Sequence, residues 1–131
     1  MIALVIALIL KELPPQRLAP GACAMALWDQ ASRTRVAMVI RAEKAPAELR
    51  LKIDEVETSL ALVPDSAAGE AMLGFAPEAQ FQGLGLSATY KLEMAGSPNG
   101  KGAAVRGGVL SVRIEGGEER VMPVAGLIGC E

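Results

Sequence analysis

The sequence predicts an all-β fold: a single antiparallel β-sandwich or small β-barrel of about seven strands. Three observations carry this. Apolar residues recur with period two over most of the chain after residue 22, turn residues interrupt the alternation at short intervals, and helical spacing is absent there. The 131 residues suffice for one domain. Aromatic residues are 3% of the chain, so the core has to be aliphatic, with much Ala of small volume.

Each strand follows from its own pattern. Cys23, Met25 and Leu27 form one face of the first. Val36, Met38 and Ile40 form the apolar face of the second, with Arg35 and Arg41 opposite. Leu49, Leu51 and Ile53 alternate with Glu48, Arg50 and Lys52. After Asp54-Glu55 the pattern resumes as Val56, Thr58, Leu60 and Leu62. A two-residue hairpin there pairs Ile53 with Val56, Leu51 with Thr58 and Leu49 with Leu60, which keeps one apolar face and fixes the register.

Residues 64–85 break the alternation. Met72, Phe75 and Phe81 there plug one end of the core, or belong to a short strand or helical turn. Leu86, Ala88, Tyr90, Leu92 and Met94 then alternate with Ser87, Thr89, Lys91 and Glu93. A Gly-rich loop covers residues 96–108. Leu110, Val112 and Ile114 lead into a Gly116-Gly117-Glu118 turn that sets Val112 opposite Met122 and Leu110 opposite Val124. The last strand runs toward Cys130, with Pro123 at an edge or a bulge.

The amino end reads as a targeting segment. Residues 2–10 are unbroken Ile, Ala, Leu and Val. A bilayer span takes about 20 apolar residues, whereas a secretory h-region takes about 7–15. Lys11-Glu12-Leu13-Pro14-Pro15 ends any helix, and cleavage falls between there and Ala22. The division is then residues 1–20 as signal or targeting segment and 21–131 as one β-domain with no membrane span, periplasmic or secreted. The alternative is a buried first strand of a cytosolic domain.

Two cysteines, Cys23 and Cys130, sit at the two ends of the predicted body. An even count in an exported chain reads as a disulfide, which makes the first and last strands neighbours. The alternative is two buried thiols in a reducing compartment.

Much chemistry is excluded. The chain has no His, which removes Ser-His-Asp and Cys-His relays and His metal ligands. Two cysteines without a C-x-x-C pair make half a zinc site, so no metal or other cofactor is expected. A net charge of −2 and few aromatics argue against nucleic acid. The acidic clusters Asp54, Glu55, Glu57 and Glu115, Glu118, Glu119 sit at predicted turns, where carboxylates are solvated, and no aromatic wall accompanies them for a sugar. Ser87 and Lys91 stand about 13 Å apart along a strand, too far for a Ser-Lys pair. Gly96-Ser-Pro-Asn-Gly-Lys-Gly102 departs from the Walker A spacing and lacks its hydroxyl, so it reads as a hairpin loop. No catalytic residue is expected. The partner-binding candidates are Asn99, Lys101 and Arg106, which suit an anionic group, and Trp28, the sole tryptophan, which is a candidate anchor or a cover for one face of the sheet.

Residues 18–28 (Leu-Ala-Pro-Gly-Ala-Cys-Ala-Met-Ala-Leu-Trp) and 123–130 (Pro-Val-Ala-Gly-Leu-Ile-Gly-Cys) resemble a group of small uncharacterised exported β-domain proteins of Gram-negative bacteria. In that group a Cys and a Trp bracket the first strand and a Gly-x-x-Gly-Cys ending closes the chain. The resemblance implies export and the disulfide, and it carries no catalytic residue over. Small periplasmic lysozyme inhibitors are likewise compact disulfide-bonded barrels. Ser87-Ala-Thr-Tyr-Lys91 is similar to their inhibitory motif with Tyr and Lys in the opposite order. The expected function is therefore a non-enzymatic β-domain that binds a protein or envelope partner. The alternative is an inhibitor of a secreted hydrolase, with residues 96–108 or the Trp28 end as its contact. A hydrolase using carboxylates stands third.

Overall fold

The computed structural model describes residues 9–42, 46–96 and 102–130. It contains β1 (Leu10–Lys11), β2 (Cys23–Asp29), β3 (Arg35–Arg41), β4 (Glu48–Ile53), β5 (Val56–Leu62), β6 (Glu78–Gly83), β7 (Leu86–Gly96), β8 (Ala103–Ile114) and β9 (Glu119–Cys130). From β2 to β9 every strand pairs antiparallel with the next, and β9 pairs with β2. The eight strands thus close into an up-and-down barrel, which leaves no long edge unpaired. β1 adds to β4 through Leu10–Ile53 and Lys11–Lys52, beyond the last β3–β4 pair, Ala37–Leu51.

An eight-stranded barrel is just wide enough for side chains to fill its interior. Met25, Leu27, Leu49, Leu51, Leu60, Leu110 and Val112 do so here, with Phe81 and Tyr90 as the large members, ring centroids 5.9 Å apart. Phe75, from the segment between β5 and β6, is buried in the same cluster, with Met72 and Leu73 packed against it. Of the three residues expected to plug the core or to belong to a short strand or turn, Phe75 is buried with Met72 against it, and Phe81 lies in strand β6.

The barrel closes at the β2–β9 seam. Seven pairs run from Cys23–Cys130 to Asp29–Val124, and the first is the disulfide, with S–S 2.02 Å and Cα–Cα 4.0 Å. At the middle of the seam Gly126 lets β9 approach β2, because a Cβ there would strike the Ala26 carbonyl.

The hairpin register Leu49–Leu60, Leu51–Thr58 and Ile53–Val56 is as the alternation predicts. Four expectations are corrected. The barrel has eight strands instead of about seven, because β6 carries just Ala79 and Phe81 as inward apolar residues and its alternation is short. Beyond Leu110 the β8–β9 register shifts by two. Leu110 faces Met122 and Val112 faces Arg120, because the turn is tight, with Ile114 N–H donating to the Glu118 carbonyl at 2.9 Å. A two-residue shift keeps each side chain on its face. Residues 103–108 are strand rather than loop, and Pro123 pairs with Val109 beside the bulge in β8. In β3, Ala37 and Val39 point inward, while Met38 and Ile40 point outward.

That outward pair is covered by the amino-terminal strap. Leu13 is fully buried in a second small cluster with Ala24, Met38 and Ile40, and Leu18 packs against it. Leu13 N–H donates to the Arg35 carbonyl at 2.8 Å, and Arg35 Nε donates back to the Leu13 carbonyl at 3.0 Å.

Two outcomes follow. Replacing both cysteines by Ala, or reducing the disulfide that closes a 107-residue separation, is expected to lower unfolding free energy by about 4–5 kcal/mol in a guanidinium titration. A loss under about 1 kcal/mol would mean that the seam holds without the bond. Burial raises the Tyr90 phenol well above its ordinary value of 10.0 by desolvating the phenolate. The buried neutral ring therefore contributes stability that is full below pH 10 and declines as pH climbs from there through the raised folded value. As Tyr90 is the sole tyrosine, phenolate absorbance is expected to appear together with unfolding. Its appearance near pH 10 in a still-folded chain would contradict this.

Candidate functional site

The two outer walls of the barrel differ in chemistry. On the wall of β4 to β7 the outward side chains are polar except Ala61 and Ala95: Glu48, Arg50 and Lys52 on β4, Glu57 and Ser59 on β5, Glu78, Gln80 and Gln82 on β6, Ser87, Thr89, Lys91 and Glu93 on β7. Ion pairs Arg50–Glu48 at 2.7 Å and Lys91–Glu78 at 3.6 Å lie on this wall.

The wall of β2, β9 and β8 reads otherwise. Its outward residues are Ala24, Ala26 and Trp28 on β2, Val121, Pro123, Ala125, Leu127 and Gly129 on β9, and Ala104, Arg106, Val109, Ser111 and Arg113 on β8. Val109 is 45% exposed, and Val121 and Leu127 are 58% exposed each. The one carboxylate at an outward strand position of this wall is Glu119 at the start of β9, which stands opposite Arg113 and accepts from Ser111 Oγ at 3.1 Å. The bulge between Val105 and Val109 turns Arg106 and Val109 to the same side.

Trp28 and Arg106 meet on this wall. Trp28 pairs with Arg35 on one side and Ala125 on the other, and Arg106 follows the Val105–Gly126 pair. One row across four strands therefore reads Arg35, Trp28, Ala125, Arg106. Trp28 and Arg106 stand two strand spacings apart, about 10 Å. The short side chains of Ala26 and Ala125 leave a depression of about 780 Å³ between them, edged by Arg33 and Leu127, with Glu12 of the strap as its one carboxylate. Arg33 takes a left-handed backbone (φ 61°) in the β2–β3 turn, where its N–H donates to the Asp29 carbonyl at 2.7 Å. Gln30 fixes that turn to the seam, since its Nε2 donates to the Val124 carbonyl at 2.8 Å. The arrangement offers an indole, a small apolar floor and three guanidinium groups, which suits an anion with an apolar part.

Of the predicted contact residues, Trp28 and Arg106 share this depression, while Asn99 and Lys101 lie outside the described residues. Cys23 and Cys130 form the seam. Arg33, Arg35, Val109, Val121 and Leu127 escaped the sequence reading. The available signal was that residues 23–28 and 121–129 are apolar at both parities, so their strands carry apolar side chains on both faces.

The two acidic clusters, distant in sequence, converge at the turn end. Asp54 and Glu115 line one apolar cleft of about 540 Å³ with Ile53, Val56, Leu84 and Ile114. Leu84 protrudes there, 84% exposed, in a left-handed turn position (φ 52°). The Ser87–Lys91 segment does not present Tyr and Lys together, because Tyr90 is buried in the core while Lys91 faces outward. No group of three or more potential metal-ligating side chains exists among the described residues.

Replacing Arg106 by Ala is expected to leave the melting temperature nearly unchanged, since the side chain is exposed. Leu13→Ala is expected to cost about 2–5 kcal/mol. Calorimetry on the two variants checks both, and a large loss for Arg106 would make the depression a structural feature. No protein-family model, curated protein or solved structure matches this chain.

Proposed function

We propose that this is a non-enzymatic, exported β-domain of the periplasm or cell surface that binds a macromolecular or envelope partner through the β2–β9–β8 wall. One observation carries the reading. A barrel whose opposite wall is mostly polar leaves Val109, Val121 and Leu127 exposed on this one, with half-buried Trp28 and arginines among them. Exposed apolar patches on soluble domains mark interaction surfaces. The interior is packed with side chains, so the contact lies on the outer surface of the barrel. The disulfide fits an oxidising compartment, and the apolar amino-terminal run supports export.

A second reading, inhibition of a secreted hydrolase, draws on the turn end. Leu84 stands there as an apolar knob on a two-residue turn, beside exposed Val56 and the carboxylates of Asp54 and Glu115. A short, rigid protrusion suits insertion into a cleft.

Passing envelope extract over the immobilised protein tests the wall. A ligand retained by the wild type is expected to be weakened about tenfold or more by Trp28→Ala or Leu127→Asp, and left unchanged by Gln82→Ala on the polar wall. Retention that depends on Leu84 and ignores both wall variants would favour the inhibitor reading. Retention indifferent to all of them would refute both.

A further inference from the structure

We infer that the partner of the β2–β9–β8 wall is the surface of a lipid bilayer with anionic phosphodiester headgroups. This rests on the reading of that wall as the binding surface. The first support is charge. Arg33, Arg35, Arg106 and Arg113 stand on or beside the wall, against a single carboxylate at its outward strand positions, Glu119 at the turn end of β9. In a chain of net charge −2 the wall thus carries a local excess of positive charge. Phosphates attract such a surface, at about 1 kcal/mol for each basic side chain near the membrane.

The second support is shape. The apolar side chains are spread along the wall, from Val121 and Val109 to Leu127 and Trp28, instead of converging on one deep pocket. Ala26, Ala104, Ala125 and Gly129 between them are too small to be anchors for a rigid protein partner. A fluid bilayer needs no matching relief. It takes single Leu and Val side chains at acyl depth and an indole at headgroup depth, while arginine heads stay with the phosphates.

The third support is continuity. The neighbouring part of the same outer face, Ala24, Met38 and Ile40, is already shielded from water by the chain's own Leu13 and Leu18. The uncovered part is the remainder of that apolar face. The middle strand of the wall, β9, is paired with β2 on one side and β8 on the other, so a polypeptide has no edge to extend there.

The test uses the full chain with vesicles of phosphatidylcholine, with and without phosphatidylglycerol. The wild type is expected to sediment with the anionic vesicles and to be released by salt. Its single tryptophan is expected to shift to the blue and to be quenched by brominated acyl chains. Arg106→Ala is expected to weaken binding about fivefold, and Arg106→Ala with Arg113→Ala about 25-fold. Every variant keeps residues 1–12, so binding through the apolar amino-terminal run is common to all. Circular dichroism and the intact disulfide report whether each variant is folded. Equal binding to both vesicle types, an unquenched Trp28, or binding unmoved by loss of the arginines would overturn the proposal. A photo-crosslinker at position 127 separates the two readings. Protein adducts without vesicle binding would overturn the lipid surface and leave the wall as a binding face. Neither adducts nor vesicle binding would remove both.

Discussion

The structure depends on one seam. Eight strands of modest length, with few aromatics inside, gain their common interior when β9 comes to lie against β2. The seven pairs of that ladder, the disulfide at one end and the Gly126 approach in the middle bring residues a hundred positions apart into register. Seam and core sustain each other. Inward Met25 and Leu27 of β2 face inward Gly126 and Ile128 of β9 across the ladder, so opening it would expose apolar side chains and two strand edges together.

Because closure gives every barrel strand a neighbour on each side, the two outer walls are at liberty to differ. The β4–β7 wall follows the usual solution for a sheet facing water, polar residues at most outward positions and ion pairs between them. The β2–β9–β8 wall does not. Its arginines and scattered aliphatic groups contribute little to barrel packing, since Met25, Leu27, Val124 and Ile128 fill the interior from the other side of the same strands. The strap deals with part of the difference by laying Leu13 over Met38 and Ile40, which makes a piece of the amino-terminal region part of the body.

Legibility in the sequence followed the strength of local pattern. Strict alternation gave the β4–β5 hairpin to the residue, because a one-residue slip there would place Glu48, Arg50 and Lys52 inside. The seam was readable from the cysteines alone. What failed was weak or two-sided pattern. In β3 both faces are apolar, so Met38 and Ile40 read as core when they lie under the strap. In β6 two inward residues were too few to reveal a strand, and the turn after Ile114 was tighter than its glycines suggested. For the candidate site, Trp28 and Arg106 were visible as residue types. Their meeting was not, since it needs the β8 bulge and the closing of β9 on β2, both long-range features.

The seam has a consequence for biosynthesis. Its two halves are residues 23–29 and 124–130, so β2 is synthesised well before the strand that it pairs with. A nascent chain lacking that strand holds an open meander whose two flanks, on β2 and β8, are both unpaired. Such a chain has not yet closed, because the lock is made with β9. It is also, for that interval, the form most exposed to proteases and to pairing with neighbours, a window in which a chaperone would have its substrate.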